Sequence, residues 1–117
     1  MEDSIYYKCL NGNGSVEFLN GNSYTGGFSN GFMHGKGLYR WKNGLLYDGE
    51  ISNNTITGQG KLQWPDGSHY SGNVVEGRRH GYGEYYCSID GSTYKGEWSH
   101  GVKDGKGVLS FANGAVF

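Results

Sequence analysis

Apolar and polar residues alternate in short runs that recur along the chain. Tyr24/Gly26/Phe28, Tyr47/Gly49/Ile51, Tyr70/Gly72/Val74 and Tyr94/Gly96/Trp98 are each spaced two apart, which puts every trio on one face of an extended strand. Between them stand mostly polar or charged residues: Thr25, Asp48 and Glu50, Ser71 and Asn73, Lys95 and Glu97. The opposite face is therefore wet. A second alternating run follows each Gly-x-Gly, with Tyr39/Trp41, Leu62/Trp64, Tyr85/Cys87 and Leu109/Phe111 at its apolar positions. Arg40, Gln63 and Ser110 separate these pairs, and Tyr86 breaks the pattern in the third copy. Two such runs around a turn predict a β-hairpin. No window carries a 3.6-residue stripe, and dense glycine disfavours long helices.

The hairpins repeat. Tyr24, Tyr47, Tyr70 and Tyr94 lie 23, 23 and 24 residues apart, and Gly35/Gly37, Gly58/Gly60, Gly81/Gly83 and Gly105/Gly107 keep the same phase. A fixed period of this length marks a repeat architecture, in which each unit buries its apolar face against its neighbours. Asn30-Gly31, Asn53-Asn54, Glu76-Gly77 and His100-Gly101 fall where the hairpin turns belong. Such turns need positive φ, which Asn tolerates best after glycine. Asn43-Gly44, Asp66-Gly67, Asp90-Gly91 and Asn113-Gly114 link successive units. Pro65 sits beside one of these links and interrupts no strand centre.

The period divides the chain into an N-terminal half-repeat or cap (1–20), four repeats (21–43, 44–66, 67–90, 91–113) and the start of a fifth (114–117). Gly12-x-Gly14 with Val16 and Phe18 copies a second strand, and residues 5–10 read as a degenerate first strand. Phe117 takes the tyrosine position where the chain breaks off. This suits a fragment of a longer protein, or a terminal edge that pairs with something else, including a second copy joined at the sheet ends. The expected fold is all-β: a single-layer, twisted antiparallel meander of successive hairpins. Glycine normally weakens a strand. At Gly26, Gly49, Gly72 and Gly96 the missing Cβ would let an aromatic ring from a neighbouring strand lie flat on the backbone, replacing a conventional core.

Composition sharpens this picture. Glycine reaches 23 of 117 residues and aromatics 15%, and their strict phase argues for a backbone requirement over low complexity. The net charge of −1 offers no basic field for nucleic acid. No apolar run is long enough to span a membrane, and the opening MEDSIYYKCL lacks the features of a signal peptide. With only Cys9 and Cys87, no disulfide framework is expected, and the chain reads as a reduced, cytoplasmic protein.

Catalytic and metal chemistry find little support. His34 and His80 precede Gly-x-Gly in two copies, but Thr57 and Asp104 replace them in the others, so a turn-stabilising hydrogen bond fits better than a ligand set. His69 and His100 are off-phase and expected to be exposed. Each Gly-x-Gly leads into a strand, with no helix N-terminus to hold phosphate. No Gly-x-Ser-x-Gly is present. The chain is read as a non-enzyme with no catalytic residue, metal or cofactor.

Two surfaces could bind. Arg78 and Arg79, with Lys103 and Lys106 one unit on and Lys36 two units before, form the one basic row; it reads as solvated loops, contacts to an acidic protein, or contacts to anionic lipid. The second is an aromatic groove of Tyr24, Trp41, Tyr47, Trp64, Tyr70, Tyr85, Tyr94 and Trp98. These rings pack internally, yet one open face of a single-layer sheet suits a partner segment, since Tyr and Trp are enriched in hot spots.

The repeats YTGGFSNGFMHGKG, YSGNVVEGRRHGYG and YKGEWSHGVKDGKG resemble the MORN (membrane occupation and recognition nexus) repeat. YDGEISNNTITGQG lacks the Gly and His before its Gly-x-Gly. The resemblance covers roughly residues 12–117. FSNGFMHGKGLYRW, WPDGSHYSGNVVEG and the leading NGNGSVEF look most like the radial-spoke-head type of cilia and flagella. The resemblance implies an elongated sheet with an aromatic-lined groove, a scaffolding role with axonemal or cytoskeletal protein partners, and, less directly, binding to membrane lipid. Such units can also precede the catalytic domain of a larger enzyme, as a targeting segment.

Overall fold

The computed structural model describes residues 11–111 and Gly114. Nine strands, β1 (Gly12–Glu17), β2 (Ser23–Ser29), β3 (Phe32–Arg40), β4 (Leu46–Ser52), β5 (Thr55–Gln63), β6 (His69–Val75), β7 (Arg78–Tyr86), β8 (Thr93–Ser99) and β9 (Val102–Ser110), form one antiparallel sheet in chain order. No helix occurs among the described residues. The sheet is elongated, 51 × 24 × 19 Å. At the N-terminal end of the sheet β1 pairs with β2, and Val16 and Phe18 are buried. The first strand expected at residues 5–10, and Phe117, lie outside the described residues.

The turns follow their sequence. Both central residues have positive φ in all four hairpins: Asn30 (52°) and Gly31, Asn53 (45°) and Asn54 (67°), Glu76 (50°) and Gly77, His100 (52°) and Gly101. Asparagine therefore does replace glycine in the second copy. Among the described residues four linking turns are closed by an Asn or Asp whose side-chain oxygen accepts the amide two residues on: Asn20 from Asn22, Asn43 from Leu45, Asp66 from Ser68, Asp90 from Ser92. The hairpin turns also fasten neighbouring units. The Asn54, Gly77 and Gly101 amides donate to the Met33, Ile56 and Arg79 carbonyls of the preceding unit. That is the nearest-neighbour coupling a repeat array needs.

One expectation is corrected. The second strand of each hairpin does not begin after Gly-x-Gly; it begins at the turn and runs through it. Gly37, Gly60, Gly83 and Gly107 pair with Gly26, Gly49, Gly72 and Gly96 across the hairpin. Just beyond each glycine pair the second strand bulges. His34-Gly35-Lys36 stand opposite Gly27 alone, because Gly26 pairs with Gly37 and Phe28 with Met33. The first glycine of Gly-x-Gly supplies the positive φ of that bulge, +92° at Gly35 and +113° at Gly58.

Candidate functional site

The tyrosine, the glycine pair and the bulge are one device. A Cβ built on Gly83 would meet the Tyr70 hydroxyl at 2.1 Å and its ring at 2.3 Å, and one on Gly72 would meet the Gly83 Cα at 2.5 Å. The same holds for Tyr24 on Gly37, Tyr47 on Gly60 and Tyr94 on Gly107. Against Gly26, Gly49, Gly72 or Gly96 thus lie the backbone of the paired glycine and the hydroxyl of the tyrosine of the same strand, while the ring itself lies over the second glycine of Gly-x-Gly on the neighbouring strand. At the end of the slot each hydroxyl donates to the carbonyl opposite the bulge: Tyr24 to Gly27, Tyr47 to Glu50, Tyr70 to Asn73, Tyr94 to Glu97. The bulge turns one carbonyl off the ladder, and the phenol satisfies it. This is why the position is Tyr and not Phe.

The slot sorts the expected groove residues by exposure. Tyr24, Tyr47, Tyr70 and Tyr94 are only 0–7% exposed, and Trp98 4%. Trp98 stacks edge-on against Tyr70 and Tyr94 and donates its indole N–H to the Gly83 carbonyl. These five form the core and present almost nothing to solvent. Trp41, Trp64 and Tyr85 are half-buried. Trp41 and Trp64, with Leu45 and Pro65, line a cleft of about 350 Å³ by the linking turns. A second cleft of about 400 Å³ runs from Trp41 past Ile56 to Glu76 and Gly77. The part-exposed members of the expected groove are thus this shorter row.

The basic row divides as well. Met33, Ile56, Arg79 and Lys103 occupy one structural position, opposite Phe28, Ile51, Val74 and Trp98. Arg79 is therefore turned onto the aromatic face and away from the loop surface. Its guanidinium lies over Trp64 (5.4 Å), Tyr85 (5.3 Å) and Trp98 (4.6 Å) and donates to the Gly101 carbonyl at 2.7 Å. This burial pulls the guanidinium's pKa below its ordinary value, though arginine stays charged. Arg79 thus stands on the aromatic face, held by its own aromatic box, and not on the loop surface expected from the sequence. The Lys103 ammonium lies 5.3 Å from the Tyr94 ring centre, while Arg78 and Lys106 are exposed. Sequence spacing hid the box, although Arg79 in register with Met33 and Ile56 was the available signal.

Of the two histidines expected to stabilise turns, His34 makes such a bond. His34 Nδ1 accepts the Asn53 amide at 3.2 Å, and His69 and His100 are exposed. His80 meets His100 edge-on at 5.6 Å. No group of three or more His, Cys, Asp or Glu suited to a metal occurs among the described residues. The wet face carries Lys36, Asp48, Glu50 and Lys61 around a shallow depression. An exposed Lys95–Glu84 pair at 3.9 Å contributes little.

Burial in the slot raises the pKa of Tyr24 and Tyr70 and pushes Tyr47 up to about 12, helped by the nearby Glu50 and Asp48. An unfolded tyrosine ionises near 10. Folding thus holds protons that the unfolded chain releases, and the stability this gives is complete below about pH 10 and lost as pH rises towards 12. Stability measured in urea should be flat from neutral pH to about 9.5 and fall steeply above it. In Tyr47→Phe the fall should be shallower.

The family model for the MORN repeat matches residues 24–45, 47–69, 70–92 and 94–116. Comparison with curated proteins finds no match.

Proposed function

Since the chain belongs to the MORN-repeat family, whose members generally serve as non-catalytic modules that bind proteins or membranes, we propose that it docks a protein segment along its half-exposed aromatic row. The observation that carries this reading is half-exposed Trp41, flanked by two clefts and in a row with the half-buried Trp64 and Tyr85, on a sheet of one layer. A single layer packs its rings against its own glycines and leaves that row without a second layer. Flat, amphipathic rings on a rigid sheet are what hot spots are made of. The setting we propose is the ciliary or flagellar axoneme, as a scaffold of the radial spoke head. Its support is the likeness of FSNGFMHGKGLYRW and WPDGSHYSGNVVEG to repeats of that type. Lipid binding through the loops loses one of its cations, because Arg79 is held inside the box.

The test is a pull-down from ciliated cells at physiological salt with wild type, Trp41→Ala and Arg78→Glu as baits, each checked for fold by circular dichroism. Axonemal proteins should be recovered equally by wild type and Arg78→Glu. Trp41→Ala should recover them roughly tenfold less, in keeping with a hot-spot tryptophan. Membrane material held by wild type and released by Arg78→Glu would reverse the reading in favour of lipid.

A further inference from the structure

The Arg79 box has a counterpart one unit earlier. Trp41 stands where Trp64 does, Ile56 where Arg79 does, and Gly77 where Gly101 does. The matching backbone bonds, Gly77 amide to Ile56 carbonyl and Gly101 amide to Arg79 carbonyl, are 2.8 and 2.9 Å. In the later unit a guanidinium fills the space between the tryptophan face and the glycine carbonyl. In the earlier unit the side chain is Ile56, which carries no donor to reach across. What remains there is the cleft of about 400 Å³ bounded by Trp41, Ile56, Glu76 and Gly77. Glu76 takes the place of His100, so the earlier site gains a carboxylate the later one lacks. Among the described residues Glu76 makes no ion pair. Leu62 and Val74 replace Tyr85 and Trp98, so one ring face and one carboxylate stand in for three rings.

We propose that Trp41, Glu76 and the Gly77 carbonyl form a docking point for a guanidinium side chain, an arginine of the segment that occupies the aromatic row. The molecule contains the precedent: Arg79 shows what this fold does with a cation at that position. Ile56 and Met33 put no cation at the position of Arg79 in the first two units. Glu76 is the carboxylate that sets the sign of the site, with exposed Arg78 beside it as a competing cation that the incoming guanidinium must outcompete at Glu76. A tryptophan face and a carboxylate together favour a planar, weakly hydrated cation over lysine.

This proposal rests on the groove reading, but its test needs no partner. The full chain, ¹⁵N-labelled, is titrated with N-acetyl-arginine amide and with its neutral isostere N-acetyl-citrulline amide, and the Trp41 indole and Gly77 amide signals are followed. Arginine should shift both saturably, and citrulline should bind roughly tenfold more weakly, the scale of a partly desolvated cation–π contact. Trp41→Leu should remove the response and Glu76→Gln should weaken it. Ile56→Arg should occupy the site from within, as Arg79 does, and abolish the response; if that variant does not fold, Trp41→Leu still decides. Equal shifts with citrulline, or shifts confined to Trp64 and Trp98, would overturn the proposal. A lost arginine response with intact partner capture sinks this site alone. Lost capture with an intact response sinks the groove reading alone.

Discussion

Gly83→Ala is expected to cost about 3 kcal/mol or more and to lower the melting temperature by roughly 10 °C. The added methyl would lie 2.1–2.4 Å from the Tyr70 hydroxyl and ring carbons, far inside van der Waals contact. The ring cannot retreat. It is fully buried, held edge-on by Trp98 and tied through its hydroxyl to the Asn73 carbonyl. Gly77→Ala is the control for backbone alone: its φ is +77° and a Cβ there meets nothing within 4 Å, so only left-handed strain of about 1 kcal/mol applies. A double-mutant cycle isolates the slot. Tyr70→Ala should itself cost about 3–5 kcal/mol, but with the ring gone Gly83→Ala should add little. The coupling would then be near the full cost of the glycine substitution. Additive costs would mean that Gly83 is required for some other reason.

The same residues show how far the sequence could be read. Hairpins, period and turns were legible because they rest on local rules: alternation, Asn-Gly dipeptides, and glycine at fixed phase. The glycine–ring match was half legible. That Gly26 and its equivalents permit a close approach follows from the missing Cβ. That the approaching groups are the paired glycine and the hydroxyl of the same strand's tyrosine, and that the ring lies on Gly37, depends on the cross-hairpin register and the bulge. No single-strand pattern encodes either. The tyrosines were equally legible as core and as groove; only the depth of the slot separates them from Trp41, Trp64 and Tyr85. Arg79 was misread because a cluster of like charges beside a turn normally faces water. Period-two alternation through the turn puts Arg78 out and Arg79 in, and the register with Met33 and Ile56 makes that inward place an apolar one.

Because Arg79 faces inward, its replacement should damage the fold, while that of Arg78 should not. Arg79→Ala removes a guanidinium from contact with three rings together with its bond to the Gly101 carbonyl. Adding a half-buried cavity to a partly desolvated cation–π contact and a charge-assisted hydrogen bond gives an expected loss of about 3 kcal/mol. Arg79→Met should lose only about 1 kcal/mol, since Met33 already fills the equivalent position in the first unit. Arg79→Glu should be the worst of the three, because it points a carboxylate at the negative faces of Trp64 and Trp98 and offers the Gly101 carbonyl no donor. Arg78→Glu should lie within about 0.5 kcal/mol of wild type, as exposed substitutions do. Urea unfolding at low and high salt would check the ranking. The Arg79 deficit should persist at high salt, because the contact is shielded from solvent ions, whereas an exposed ion pair would be screened. An Arg79→Ala protein as stable as wild type would return Arg79 to the surface. If the ranking holds, lost membrane binding in an Arg78/Arg79 double variant would report unfolding as readily as a lost lipid contact, so Arg78→Glu alone is the variant that can test the loops.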